Sequence, residues 1–132
     1  MFLRNMYPAL LWALLILILC AIPGNDLSRL KFLDWMKPDK IVHLFLFGVL
    51  SVLLFKSFKR EIDFTLLQSY PVISAVVISS MYGIVIELLQ EFVFVYRSGE
   101  GYDVLADAAG AITGLWLYHV YLKRTIVHSH QE

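Results

Sequence analysis

The sequence contains little charge of either sign and only one cysteine. Charged residues make up 17% of its 132 residues, and 11 Lys and Arg are balanced by 11 Asp and Glu. A chain without a basic excess offers no electrostatic footprint for nucleic acid, so nucleic acid is not an expected partner. The single Cys20 excludes both an internal disulfide framework and a metal cluster made of cysteines.

Hydrophobic residues are what the sequence has in excess, at 59% of the chain. Soluble domains contain about 45–50% apolar residues, so a water-soluble fold is not expected. A bilayer-crossing helix needs about 20 mostly apolar residues. Four apolar runs of roughly this length occur, at residues 7–22, 39–55, 71–95 and 103–122. The predicted fold class is therefore all-α: a single domain, residues 1–132, that forms a four-helix transmembrane bundle.

The segments between the runs contain the expected helix boundaries. Pro23 and Gly24 end the first run, whereas Pro38 and Pro71 suit the first turns of the second and third. The first run could also be a signal peptide, but no small-residue cleavage site follows it, which favours an anchor. Residues 25–37 mix apolar and charged side chains, and we predict a short interfacial segment between the first two helices.

Polar residues are concentrated at one end of the predicted bundle. Because consecutive spans alternate in direction, the second span starts, the third ends and the fourth starts at the same membrane face. Polar residues three or four positions apart share one face of each helix. We predict a polar pocket formed by Asp39, Lys40, His43, Glu87, Gln90, Arg97, Asp103 and Asp107.

Glycines continue the same polar stripes toward the membrane centre. Gly83 precedes Glu87 by one turn, and Gly110 and Gly114 follow Asp107 at a spacing that lets helix backbones approach. The polar stripes should therefore face one another. An ionisable residue inside a membrane costs about 2.5–3.5 kcal/mol on insertion scales, so such a set indicates a functional site. A structural network that only connects helices is the alternative.

Three motifs in order resemble the VanZ-like family of small bacterial membrane proteins. Residues 39–43, DKIVH, resemble its D-K-x-x-H motif, and Gly83, Glu87 and Gln90 follow its G-x-x-x-E-x-x-Q motif. Arg97 and the segment 103–114 resemble the arginine and the D-x-x-x-N-x-x-G-x-x-x-G motif that close the pattern. Asp107 stands where the family often has Asn. The resemblance implies a cell-envelope protein linked to resistance to the glycopeptide antibiotic teicoplanin.

The first functional hypothesis is a pocket in the outer leaflet that binds a lipid headgroup or cell-wall precursor. Lys40 and Arg97 would bind its anionic groups. The slight excess of Lys and Arg on the side of the termini favours a cytoplasmic location for both termini. The resemblance implies that the protein lies in the bacterial cytoplasmic membrane. The bilayer and such a ligand are the expected partners; a homo-oligomer is left open, and no cofactor is implied.

Two other functions use the same residues. In a membrane-embedded enzyme acting on a lipid-linked substrate, Glu87 or Asp107 would be the general base and His43 the acid. Alternatively, His43, Glu87 and Asp107 would bind a divalent ion, although no recognised metal or nucleophile motif supports catalysis. A proton-coupled transporter is the third hypothesis, and four short helices would have to oligomerise to form its pathway.

Overall fold

The computed structural model describes residues 2–21, 38–60, 65–94 and 101–129, and all of its regular structure there is helical. The predicted all-α class is confirmed for these residues. The helices are α1 (Phe2–Ala21), α2 (Pro38–Arg60), α3 (Thr65–Ser69), α4 (Pro71–Phe92) and α5 (Gly101–Ser129). The predicted interfacial segment, residues 25–37, lies outside the described residues.

Three of these helices are long and apolar enough to cross a membrane. The crossing segments are Arg4–Ala21 in α1, Lys40–Arg60 in α2 and Pro71–Phe92 in α4. The longest helix, α5, has 29 residues but is not among them. Its glycines, acids, histidines and tyrosines lower its hydropathy. The fourth crossing therefore remains a prediction.

The helix ends differ from the predicted span ends. α1 begins at Phe2 rather than at residue 7 and includes Pro8. α4 ends at Phe92 instead of residue 95, where the Val93 N–H donates to the Leu89 carbonyl. α5 continues beyond residue 122, and α3 was not predicted at all. Hydropathy marks which part of a helix suits lipid, whereas backbone hydrogen bonding decides where the helix ends.

α2 is the central helix and contacts α1, α4 and α5. Its side chains Phe47 and Phe58 are fully buried, as are Ile16 of α1 and Ile86 of α4. The outer surface is also apolar; Trp116, for example, is 63% exposed. A soluble protein rarely exposes an apolar surface of this extent, so this distribution indicates a lipid-facing exterior.

α2 and α5 cross in backbone contact. A Cβ atom placed on Gly110 would overlap the Leu44 carbonyl, and one on Gly114 would lie 2.5 Å from the Gly48 oxygen. The hydroxyl of Ser51 donates to the Ala111 carbonyl at 2.9 Å, which adds a hydrogen bond across the crossing. This close approach brings the starts of α2 and α5 together.

Side-chain hydrogen bonds attach α1 to the other helices. Trp12 Nε1 donates to the Leu46 carbonyl of α2 at 2.9 Å. The hydroxyl of Tyr82 in α4 donates to the Ala13 carbonyl at 2.7 Å. Both bonds are partly buried, where lipid offers the donors no replacement acceptor.

Candidate functional site

A lysine at the start of α2 forms an ion pair with an acid at the start of α5. Lys40 Nζ lies 2.9 Å from Asp103 Oδ1. The Asp103 side chain is only 4% exposed, whereas that of Lys40 is 32% exposed. Lys40 Nζ also lies 5.7 Å from the ring centre of Tyr102, within cation–π range. Lys40 is therefore a cation at the edge of a buried acidic group.

His43 lies one turn deeper and connects three helices. Its Nδ1 is 2.9 Å from Asp107 Oδ1 on α5 and 4.0 Å from Glu87 Oε1 on α4. The imidazole also stacks on Phe47, with ring centroids 6.1 Å apart and planes 13° from parallel. Because all three polar side chains are buried, these interactions are little weakened by solvent.

The approach of Asp107 to α4 depends on a glycine. A Cβ atom on Gly83 would overlap the Asp107 carboxylate. The side chain of Asp107 is completely buried in the space that Gly83 leaves open. Gly83 therefore has a direct part in forming the cluster.

Gln90 brings the end of α1 to the same end of the bundle. The side chain of Gln90 is buried, and its Nε2 donates to the Cys20 carbonyl at 3.3 Å. From its sequence, α1 is expected to be mainly an anchor. The alternation of spans also puts the end of α1 at this face, and that signal could have identified the contact.

The structure brings most of the polar residues singled out in the sequence to one end of the bundle. We call the following residues the polar cluster: Lys40, His43, Glu87, Gln90, Asp103 and Asp107. Arg97 lies outside the described residues. Asp39 lies in the first turn of α2, and its side chain is likewise outside the described part of the chain.

Part of the polar cluster has the composition of a metal site. His43, Glu87 and Asp103 each offer one ligand atom, and these atoms all lie within 4.8 Å of one another. The sequence hypothesis named Asp107, and not Asp103, beside His43 and Glu87 in such a set. Asp107 instead contacts the His43 ring.

An apolar surface around a buried polar cluster, together with helices of bilayer length, defines a membrane protein. The VanZ/LLP1 family model matches residues 6–123, which is nearly the whole chain. The chain therefore belongs to the VanZ/LLP1 family, as its sequence motifs predicted. A comparison with curated proteins and another with solved structures each gave no match.

Proposed function

We propose that this protein binds the headgroup of a lipid or lipid-linked envelope precursor at the polar cluster and thereby lowers susceptibility to teicoplanin-type glycopeptides. The observation that carries the proposal is the partly exposed Lys40 beside the buried Asp103. An ammonium group at this position can bind a phosphate oxygen. The carboxylates behind it can accept hydrogen bonds from hydroxyl or amide groups of the same headgroup.

An apolar cavity between α2 and α5 supports a lipid ligand. It has a volume of about 310 Å³ and begins at Leu44, the residue that follows His43. Gly48, Gly110 and Gly114 are among its lining residues, and its other end reaches Lys56. A hydrocarbon chain in this cavity would leave its polar headgroup at the level of the cluster. The ligand is thus proposed to be amphipathic.

The proposed topology has four crossings, with both termini in the cytoplasm and the polar cluster in the outer leaflet of the cytoplasmic membrane. It can be tested in a Cys20→Ser background. A membrane-impermeant maleimide should label Tyr102→Cys in intact cells. It should label Thr125→Cys only after the cells are permeabilised. Labelling of both positions in intact cells would show that α5 does not cross.

Two lysines of α2 provide a matched test of the headgroup proposal. Lys40 Nζ lies 5.7 Å from the ring centre of Tyr102, and Lys59 Nζ lies 5.4 Å from that of Phe55. Of these two lysines, Lys40 is the one that pairs with the buried Asp103, and Lys59 does not line the apolar cavity. In a teicoplanin-susceptible host, the wild-type protein and Lys59→Ala should raise the inhibitory concentration of teicoplanin. Lys40→Ala should give the value of the host alone. Full resistance from Lys40→Ala at equal membrane abundance would refute the proposal.

An enzyme acting on a lipid-linked substrate is the second candidate. It is favoured by His43, whose Nδ1 lies close to carboxylates of two helices, since such an arrangement can transfer protons. Purified protein in lipid nanodiscs can be incubated with a radiolabelled isoprenoid-linked sugar phosphate and separated by chromatography. Retention of unchanged lipid supports binding. Conversion that is lost in His43→Ala supports catalysis.

A further inference from the structure

We propose that His43, Glu87 and Asp103 form a binding site for one divalent cation of the Mn²⁺ or Zn²⁺ class. The site lies inside the polar cluster and binds the ion whether or not a lipid is present. The inference rests on the proposed function only for the use of the ion, which would neutralise a phosphate group of the bound headgroup.

The geometry of the three donors supports a cation. They come from α2, α4 and α5, and their ligand atoms lie within 4.8 Å of one another. With metal–ligand bonds of about 2.0–2.2 Å, neighbouring ligands of a tetrahedral ion lie about 3.4 Å apart, so each of the three donors would have to move inward by less than about 1 Å. One imidazole and two carboxylates suit Zn²⁺ through nitrogen and Mn²⁺ through oxygen. All three side chains are buried, which excludes a loose surface association.

Asp107 lies against the His43 ring beside the proposed site. Its Oδ1 is 2.9 Å from His43 Nδ1, the nitrogen that also lies 4.0 Å from Glu87 Oε1. A carboxylate that accepts a hydrogen bond from Nδ1–H fixes the orientation of the ring. An ion bound at Nδ1 would replace that proton and would have the Asp107 carboxylate within reach as a further ligand.

Asp103 can serve the lysine and the ion together. Lys40 contacts only Oδ1 among the described interactions of Asp103, and a carboxylate has four lone-pair positions on two oxygens. A lysine beside a metal-binding carboxylate therefore does not block the site. It places a positive group at the outer edge, where the proposed phosphate would arrive.

Three buried carboxylates, those of Glu87, Asp103 and Asp107, lie in the polar cluster. A divalent ion bound there would be the largest local charge and would attract all three.

The experiment measures binding of Mn²⁺ or Zn²⁺ alone to the full chain, purified in detergent after chelation. Equilibrium dialysis should give one ion per chain for at least one of the two metals. Glu87→Gln and Asp103→Asn should abolish binding at concentrations that saturate the wild type. The matched control is Glu91→Gln, the same change on an exposed residue of α4, and it should bind normally. Asp107→Asn should lower affinity by about 10- to 100-fold.

A spectroscopic measurement on the wild type keeps the test decisive if the variants fail to fold. Electron spin-echo modulation of bound Mn²⁺ should show coupling to an imidazole nitrogen. That coupling should vanish in His43→Gln if the variant folds. Binding of neither metal by folded wild-type protein, or binding unchanged in Glu87→Gln and Asp103→Asn, would overturn the proposal.

Lys40→Ala separates this inference from the proposed function. Loss of the lysine removes a positive charge beside Asp103, so the variant should bind the cation at least as tightly as the wild type. The same variant should lose the teicoplanin phenotype. Cation binding without any effect on resistance would reject the headgroup proposal alone, and resistance without cation binding would reject the metal site alone.

Discussion

His43 Nδ1 lies 2.9 Å from Asp107 Oδ1, although 64 positions in the sequence separate the two residues. Both side chains are buried, and the bond joins the start of α2 to the start of α5. Gly83 on the third helix of the site leaves the space that Asp107 occupies. The contact between His43 and Asp107 therefore depends on the packing of α2, α4 and α5, and it also contributes to holding α2 and α5 together.

Two substitutions of Asp107 should distinguish the contribution of its hydrogen bond to the free energy of unfolding from the contribution of its charge. Asp107→Asn retains an acceptor for His43 Nδ1–H and removes one negative charge, so its free energy of unfolding should equal or exceed that of the wild type. Asp107→Ala removes the acceptor and should cost about 1–3 kcal/mol. Both values can be measured by denaturant titration in detergent. Equal destabilisation by the two substitutions would contradict this assignment.

A methyl group at the α2–α5 crossing should force the helices apart. Gly110→Ala places a Cβ atom against the Leu44 carbonyl, and we expect a loss of about 1–3 kcal/mol in unfolding free energy. Gly101→Ala is the matched control, because no atom lies within 4 Å of its added Cβ. The same detergent titration compares them. A Gly110→Ala protein as stable as the control would mean that the helices do not pack in this way.

The Lys40–Asp103 pair should show coupling in a double-mutant cycle. Lys40→Met leaves a buried carboxylate without its ammonium neighbour, and Asp103→Asn removes that carboxylate charge. Lys40 is partly solvated. Lys40→Met should therefore lower the free energy of unfolding by about 1–3 kcal/mol, which lies between the values typical of breaking an exposed salt bridge and a buried one. The double variant should recover part of this loss. Strictly additive effects on unfolding free energy would show that the two groups do not interact.

The alkylation rate of the Cys20 thiol can report how tightly the end of α1 packs against the other helices. It is buried at 3% exposure, and its carbonyl accepts the Gln90 hydrogen bond. Gln90→Leu should loosen the end of α1 and increase the rate at which N-ethylmaleimide alkylates Cys20, measured by mass spectrometry. Gln68→Leu makes the same change at an exposed position of α3 and should leave the rate unaltered. Equal alkylation rates of Cys20 in the two variants would show that Gln90 does not stabilise the packing of α1.

The sequence alone determined the helical class, because apolar runs of bilayer length can satisfy their backbone groups in lipid only as helices or closed barrels. It also identified the family, through motifs whose spacing is local. The three spans at α1, α2 and α4 follow from hydropathy. Alternation of spans, which requires no coordinates, was sufficient to predict that His43, Glu87 and Asp107 share one end of the bundle.

Only the tertiary structure decided which polar atoms meet. The sequence hypothesis assigned Asp107 to the metal-ligand set, whereas the structure places Asp103 beside Glu87 and His43 and sets Asp107 against the histidine ring. Helical spacing gives each residue a face, but the rotation of α5 against α2 depends on backbone contact at Gly48, Gly110 and Gly114. Alternation of spans places the end of α1 at the same face as Gln90, but the sequence could not name the acceptor of the Gln90 hydrogen bond, because it is a backbone carbonyl that any residue could provide.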